Sequence, residues 1–432
     1  MTYLETLPAI VRVLIVFGVI LLAIRMKLSL GNAFVVGAAL LGIGFGMAPP
    51  AIAKSTLAAL FHPKTISLAI VVCLILVLSH SMESCGQMQR LLDRFQGLIR
   101  KPALNLTIFP AIIGLLPMPG GAVFSAPMVK HLGQQRGLSG ARLSFINYWF
   151  RHIWEYWWPL YPGVLLATSI ADLNLWSFVL ALFPMTLVAV AAGFKPLADT
   201  LRKGRDNGLA QGSRPPLGPF ISELFPILLT IILGIGTGSL LSALLPEKLT
   251  AISKELGLIL ALFAAIALVW RQNHFTGREK WKIVSNPELL KMFYMVAAIL
   301  VFQGILTDSH AVNGVSRELI SWQIPLVPIT IILPMLVGMV VGITIAFVGT
   351  TFPILITLVA SYGEGQLLPA YMMLAMAGGF VGVLLSPLHL CLLLSNEYFD
   401  TGLRQVYRHM WFPCLILLVC GYIYFLILKG LA

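Results

Sequence analysis

Residues 103–132 read ALNLTIFPAIIGLLPMPGGAVFSAPMVKHL, two apolar arms separated by Pro117-Met118-Pro119-Gly120-Gly121. A helix needs roughly 20 apolar residues to cross a hydrocarbon core about 30 Å thick. Neither arm reaches that length, and two prolines with two glycines oppose one continuous helix. The stretch is therefore predicted to enter and leave a membrane on the same side, as a re-entrant helical hairpin. Broken backbone is tolerated at membrane depth only where protein buries it or water reaches it. The hairpin thus implies a bundle around it.

The rest of the chain supplies one. Of 432 residues, 58% are apolar and 11% charged, against roughly a quarter charged in a soluble domain. That balance excludes a disordered chain, a nucleic-acid scaffold and a soluble enzyme of this length. Apolar runs near 8–25, 31–49, 66–80, 143–170 and 174–194 are candidate spans, followed by 222–246, 250–270, 291–306, 368–396 and 411–430. The first lacks a basic head and a small-residue cleavage site, and is expected to be a retained helix. The result is an all-α, polytopic membrane protein with ten spans. Lys and Arg collect in cytoplasmic loops. On this span order one side receives 21 of the basic residues and the other six, so both termini are expected outside. The net charge of +12 is then mainly a topology signal and requires no polyanionic partner. Cys73, Cys85, Cys391, Cys414 and Cys420 lack paired spacing and read as small hydrophobes, with no metal site among them.

A Lys-, Arg-, Gly- and Pro-rich linker at 195–221 divides the chain into 1–194 and 222–432. The halves share punctuation. Ile75-Leu76-Val77 recurs as Ile299-Leu300-Val301, Pro102 and Pro127 as Pro328 and Pro353, and Pro159-Leu160 as Pro387-Leu388. Each half holds five spans, an odd number, so the second copy is predicted to be inverted. The partner of the first hairpin falls at about 328–360, with its tip near Phe347–Pro353; its first arm is long enough that a full span is the alternative. The helix after each hairpin, 143–170 and 368–396, is also interrupted, at Trp158-Pro159-Leu160-Tyr161-Pro162-Gly163 and at Ser386-Pro387-Leu388-His389. Two hairpins and two broken helices, paired by pseudo-symmetry, converge near the midplane in many secondary transporters.

This layout resembles the ion transporter superfamily. The segments Leu116–Ala122 and Ser386–Cys391 are most similar to a prokaryotic branch of membrane proteins of unknown function. The resemblance implies an elevator-type carrier of a cytoplasmic (inner) membrane, a homodimer whose hairpins and broken helices form the moving transport domain. Sodium–dicarboxylate symporters of the superfamily carry Ser-Asn-Thr at both tips, and this sequence does not. Their sodium coupling and substrate class are therefore not carried over.

Ionisable groups inside a span are costly and usually face protein or water. Arg151, His152 and Glu155 form the main cluster of this kind. Arg151 and Glu155, four apart, are expected to share a helix face and pair. Arg151 is a candidate for binding a substrate anion, and His152 or Glu155 for carrying a coupling proton. The alternative is a purely internal ion pair. Gly120 and Gly121 allow close backbone approach to a ligand at the tip, and Ser125 adds a hydroxyl. Gly349, Thr350 and Thr351 are assigned to the second tip, the alternative being hydroxyls bonded back to helix carbonyls. Ser386 and His389 flank the second break, where His389 is a candidate proton carrier or a buried structural histidine. Asn396 and Glu397 read as helix-end residues, Asp308 and His310 as loop residues, and Trp154, Trp157 and Trp158 as packing or interfacial groups.

The expected function is secondary active transport of a small anionic organic solute, coupled to H+ or Na+, with no enzyme activity and no cofactor. A sodium/proton antiporter would need paired membrane carboxylates, and a lipid-carrier flippase a laterally open groove; both remain as alternatives. No nucleotide-binding Gly-x-x-x-x-Gly-Lys-[Ser/Thr] motif is present.

Overall fold

Proline opens several helices of this chain, among them those starting at Pro49, Pro63, Pro162 and Pro287, and lies inside others without ending them. The computed structural model describes residues 7–99, 102–118, 120–134, 136–195, 215–246 and 252–431. Pro119 and most of the linker, 196–214, lie outside them. Among the described residues the chain forms helices and no strand.

Ten α-helices precede the linker: α1 (Ala9–Arg25), α2 (Leu30–Gly44), α3 (Pro49–Leu60), α4 (Pro63–Ser84), α5 (Gln87–Phe95), α6 (Pro102–Ile113), α7 (Ala122–Gln134), α8 (Gly140–His152), α9 (Pro162–Ile170) and α10 (Leu175–Phe194). Ten described helices follow it: α11 (Leu217–Leu244), α12 (Ser253–Gln272), α13 (Gly277–Val284), α14 (Pro287–Asp308), α15 (Ala311–Ser321), α16 (Leu326–Val341), α17 (Thr344–Ser361), α18 (Leu368–Leu384), α19 (Leu390–Tyr398) and α20 (Leu403–Leu431). Eight helical stretches among the described residues are long and apolar enough to cross a membrane. The chain is an all-helical, multi-pass membrane protein.

The expected spans 143–170 and 368–396 each resolve into two helices, α8 with α9 and α18 with α19. Their breaks lie at Ile153–Tyr161 and Leu385–His389. The first hairpin, predicted at 103–132, is α6 and α7. The second is α16 and α17, and Tyr362 Oη donates to Ile324 O at 2.7 Å, tying its two ends together.

The tip of this second hairpin differs from expectation. It falls at Gly342-Ile343 and not near Phe347–Pro353. Gly342 takes φ +73°, a left-handed conformation that glycine adopts without penalty. Pro353 sits inside α17 without ending it. Gly349, Thr350 and Thr351 are therefore helical. Thr350 Oγ1 donates to Ala346 O and Thr351 Oγ1 to Phe347 O, at 2.9 and 2.7 Å.

The helices pack in two sets. In one, α2 and α3 lie on α14, α12 and α13 lie on α4, and α4 meets α14. In the other, α16 packs on α18, α6 on α8, α17 on α9, α7 on α19, and α10 on α20. The sets meet through α14 and α15 against α17 and through α4 against α9. α10, α11 and α20 turn large apolar side chains outward, among them Leu180, Leu187, Ile232, Leu244, Trp411 and Ile427. Outside water, such a surface is suited to lipid. α18 is buried almost throughout.

α16 and α18 pack backbone against backbone. A methyl on Gly382 would fall on the Met335 carbonyl oxygen, and one on Gly338 on the Gly379 carbonyl oxygen. Small residues that admit a neighbouring backbone are a common device in membrane bundles. Gly236, in α11, has open space where a side-chain methyl would stand. Gly382→Ala is thus expected to destabilise the detergent-purified protein by about 1–3 kcal/mol through overpacking, whereas Gly236→Ala leaves thermal unfolding nearly unchanged.

Candidate functional site

A helix that stops inside a bundle leaves its last carbonyls and first N–H groups without helical partners. The four interruptions of this chain solve that problem largely with one another. Beyond the last turn of α6, Gly114 O accepts from Tyr161 Oη at 2.7 Å, and within α6 Ala111 O accepts from Trp154 Nε1 at 2.6 Å. At the tip, Met118 O accepts from Arg151 Nη2 at 2.7 Å. At the end of α18, Leu384 O accepts from Tyr148 Oη at 3.2 Å, and Leu385 O from Tyr407 Oη at 3.0 Å. The Ser386 hydroxyl accepts from Leu388 N at 3.2 Å within the second break. Gly114 lies so close to the first break that a methyl there would strike the Arg151 carbonyl oxygen.

The interruptions surround a cavity of about 280 Å³. Its wall combines the α6–α7 tip (Pro117, Met118, Gly120), the first break (Tyr161, Pro162, Gly163), the α16–α17 tip (Gly342–Ile345) and the second break (Leu388–Cys391). Met292 and Met295 of α14 close it from the other helix set, and Arg151, His152, Glu155 and His389 supply its polar lining. The starts of α9, α17 and α19 line it, as does Gly120 just ahead of α7.

Arg151 is 2% exposed, and its Nε has no hydrogen-bond partner. Its Nη1 lies 3.5 Å from His152 Nε2. Its Nη2 faces Gly121 so closely that a methyl there would collide with the guanidinium. His152 Nδ1 lies 2.6 Å from Tyr148 O, and because a carbonyl only accepts, that nitrogen carries the proton. His152 Nε2 faces His389 Nε2 at 3.1 Å and Glu155 Oε2 at 3.7 Å. Glu155 Oε1 accepts from the Thr344 hydroxyl at 2.5 Å.

The cavity therefore brings together Arg151, His152, Glu155, His389 and Gly120. Arg151 and Glu155 do not share a helix face, because α8 ends at His152 and the chain unwinds between them. The one bonds to Met118 and the other to Thr344. Gly121 stands directly behind Arg151. Other candidates lie off the wall. Gly349, Thr350 and Thr351 are buried inside α17. Ser125 Oγ donates to Asn147 Oδ1 at 2.6 Å. Ser386, also buried, stands behind Gly342, where an added methyl would lie 2.7 Å from its hydroxyl oxygen.

Several contributors were not singled out by sequence. Thr344 follows the true tip by two residues, and the left-handed Gly342 was the signal that marks it. Tyr161 acts through the bond it gives to α6. Asn147 donates to Ala122 O and Ser395 Oγ at 2.9 and 3.0 Å, joining α7, α8 and α19. Asn396, read as a helix-end group, does lie in the last turn of α19, but it is buried and accepts from Ser144 Oγ at 2.5 Å. Trp154 and Trp157 brace the first break, the latter through Ile153 O at 3.0 Å. Asp308 ends α14 and His310 lies in the following turn.

Fold and cavity define a multi-pass membrane protein with a polar site buried between interrupted helices. The family described as "Protein of unknown function (DUF401)" matches residues 9–428, and the chain belongs to it. A search of curated proteins finds no match.

Asn147→Leu is expected to cost roughly 2 kcal/mol or more, because it removes three buried hydrogen bonds at once, with Ala122 O, Ser125 Oγ and Ser395 Oγ. Thr344→Val should cost less, about 1–2 kcal/mol, with Thr344→Ser restoring the bond to Glu155. Thermal unfolding in detergent measures all three.

Proposed function

We propose that this protein is a secondary active transporter for a small organic anion, with proton coupling at the same cavity. The observation that carries this reading is Arg151, a buried guanidinium whose Nε has no partner, on a cavity lined by the starts of α9, α17 and α19 and by Gly120 ahead of α7. Arg is suited to carboxylate or phosphate geometry, and helix N-termini favour negative charge. Apolar walls with few convergent polar groups suit a small organic ligand.

Charge balance supports the coupling. Arg151 and Glu155 together leave the cavity near neutrality. An anion on Arg151 adds a second negative charge beside Glu155, so its entry is favoured with a proton on Glu155 or the His152–His389 pair. The carbonyls of Leu384 and Leu385, which an unwound helix could otherwise offer to sodium, already accept from tyrosines. That favours H+ over Na+.

Inverted repeats are supported by the order and length of the helices. α4 and α14 each have 22 residues, and α9 and α19 each have nine. Short helices that begin after a left-handed residue, Gly86 and His310, follow α4 and α14 in turn. Contacts exchange between halves: α2 on α14 answers α12 on α4, and α1 on α15 answers α11 on α5. In this reading the set containing α6–α10 and α16–α20 moves as the elevator, while α1–α5 and α11–α15 form the scaffold, in a dimer. The cavity closes against α14, where the two sets meet.

Ion pairs support the topology with α1 starting and α20 ending outside. Lys64 meets Asp172 at 2.8 Å and Lys429 meets Glu364 at 2.9 Å, all on the side assigned outside. Arg90 and Arg94 meet Glu223 at 3.2 Å on the side assigned inside. In these four pairs, residues from distant segments meet others of the same assigned side.

Uptake of a panel of organic anions into proteoliposomes under imposed proton or sodium gradients tests the proposal. A proton gradient is expected to drive uptake of at least one anion, with Arg151→Gln abolishing it and Glu155→Gln weakening its dependence on pH. Absence of gradient-driven uptake of any anion, together with binding of a polyprenyl phosphate, would replace it with the flippase reading.

A further inference from the structure

We propose that His152, His389 and Cys391 form a binding site for a divalent transition-metal ion of the zinc class, with Glu155 as a fourth ligand. One ligand atom of each of the first three lies within 4.8 Å of the other two, and all three residues are buried. The site shares His152, Glu155 and His389 with the proposed proton coupling, so a bound ion would displace the coupling proton; metal binding at equilibrium is nevertheless measured without uptake, and its failure leaves the transport reading standing.

The geometry argues for a shared ion. His152 gives its Nδ1 proton to Tyr148 O, which leaves a lone pair on Nε2. A carbonyl partner of this kind is the usual outer-shell support of a metal-bound imidazole. That Nε2 lies 3.1 Å from His389 Nε2 and also accepts a longer hydrogen bond, 3.5 Å, from Arg151 Nη1. If His389 donates into it, His389 Nδ1 is left as a bare acceptor, and that atom is buried with no partner. If His389 carries its proton on Nδ1, two lone pairs confront each other. Either arrangement is relieved by a cation between the two Nε2 atoms. Ligands of a tetrahedral zinc ion, about 2.0–2.3 Å from the metal, stand roughly 3.3–3.6 Å apart. The imidazole pair is already near that separation, and Cys391, in the first turn of α19, has its sulfur within 4.8 Å of both.

The surrounding charges narrow the choice of ion. Arg151 Nη1, 3.5 Å from His152 Nε2, opposes a cation held by neutral ligands alone. Binding therefore calls for the Cys391 thiolate and the Glu155 carboxylate, whose charges neutralise a dication. The thiol gives up its proton as the metal–sulfur bond forms, so one proton is released per ion at that ligand. Sulfur with imidazole selects zinc, cobalt or cadmium over magnesium, calcium or sodium. Glu155 Oε2 lies 3.7 Å from His152 Nε2 but outside the 4.8 Å cluster, so it joins the ion only by a side-chain shift, while Thr344 holds its other oxygen.

Cobalt(II) titration of the chelator-treated, detergent-purified protein is the test. One cobalt per chain is expected, with the absorption of a tetrahedral centre and a thiolate-to-cobalt charge-transfer band; zinc should displace it and magnesium should not. Cys391→Ser is expected to remove the charge-transfer band while weaker binding remains. His389→Gln should lower affinity roughly tenfold or more, the scale on which even outer-shell changes act. His152 also braces Tyr148, so its substitution risks the fold; Cys391→Ser and His389→Gln, checked for unchanged thermal unfolding before metal is added, carry the test without it. Absence of stoichiometric cobalt binding, or a cobalt spectrum that neither variant alters, would overturn the proposal.

Discussion

A peptide group that leaves a helix inside a packed bundle loses its helical partner and must find another. Four such interruptions meet in this protein, and satisfying them shapes everything near its centre. Trp154 and Tyr161 from the first break hold α6, Arg151 holds the tip that follows it, and Tyr148 and Tyr407 hold the end of α18. The aromatic run 154–161 is therefore a set of donors for exposed carbonyls as well as packing bulk. The large side chains also explain the glycines opposite them, because Gly114 and Gly121 admit the first break and the Arg151 side chain at close range.

The same constraint concentrates chemistry in one place. Unwound backbone and helix starts bring polar atoms to the cavity, and the few ionisable side chains placed in these segments are drawn there with them. Arg151 shows both roles. One of its nitrogens is committed to Met118 O, a structural bond, and another has no partner. Glu155 is likewise half committed, with Thr344 on one oxygen and open reach to His152 on the other. Neither residue is a closed internal pair, and this is what makes the cavity a candidate for a ligand rather than a stabilising core. The imidazoles belong to the same balance: two nitrogens at 3.1 Å with a thiol within 4.8 Å can share a proton or, as proposed, a metal ion.

How much of this was legible in the chain varied with the physical signal. The first hairpin was plain because its breakers cluster: two prolines and two glycines within five residues leave no helical alternative. The second was displaced by several residues. Its true turn rests on a single glycine, Gly342, while Gly349 and Pro353 together look stronger in sequence but fit within α17. Proline costs a helix only one N–H bond and a local clash, and a buried helix held by neighbours on all sides absorbs that. Thr350 and Thr351 followed the misplaced turn and proved to be hydroxyls bonded to their own helix. Asn147, Ser395 and Asn396 were hidden for another reason, since amides and hydroxyls carry no charge to mark them as costly in an apolar run.

By itself the sequence determined that the chain is a multi-pass helical membrane protein, because hydropathy is a local property summed over about 20 residues. It also determined that four segments are broken, since breakers act on their own helix. What only the tertiary structure decided is which breaks face which. Arg151 and Glu155 look like partners four residues apart, yet unwinding after His152 sends one to Met118 and the other to Thr344. His152 lies 237 residues before His389, and it meets His389 and Cys391 only because α8 and α19 pack together. Pairing of distant groups depends on helix packing and on where each helix stops, and neither is written in the neighbourhood of any one residue.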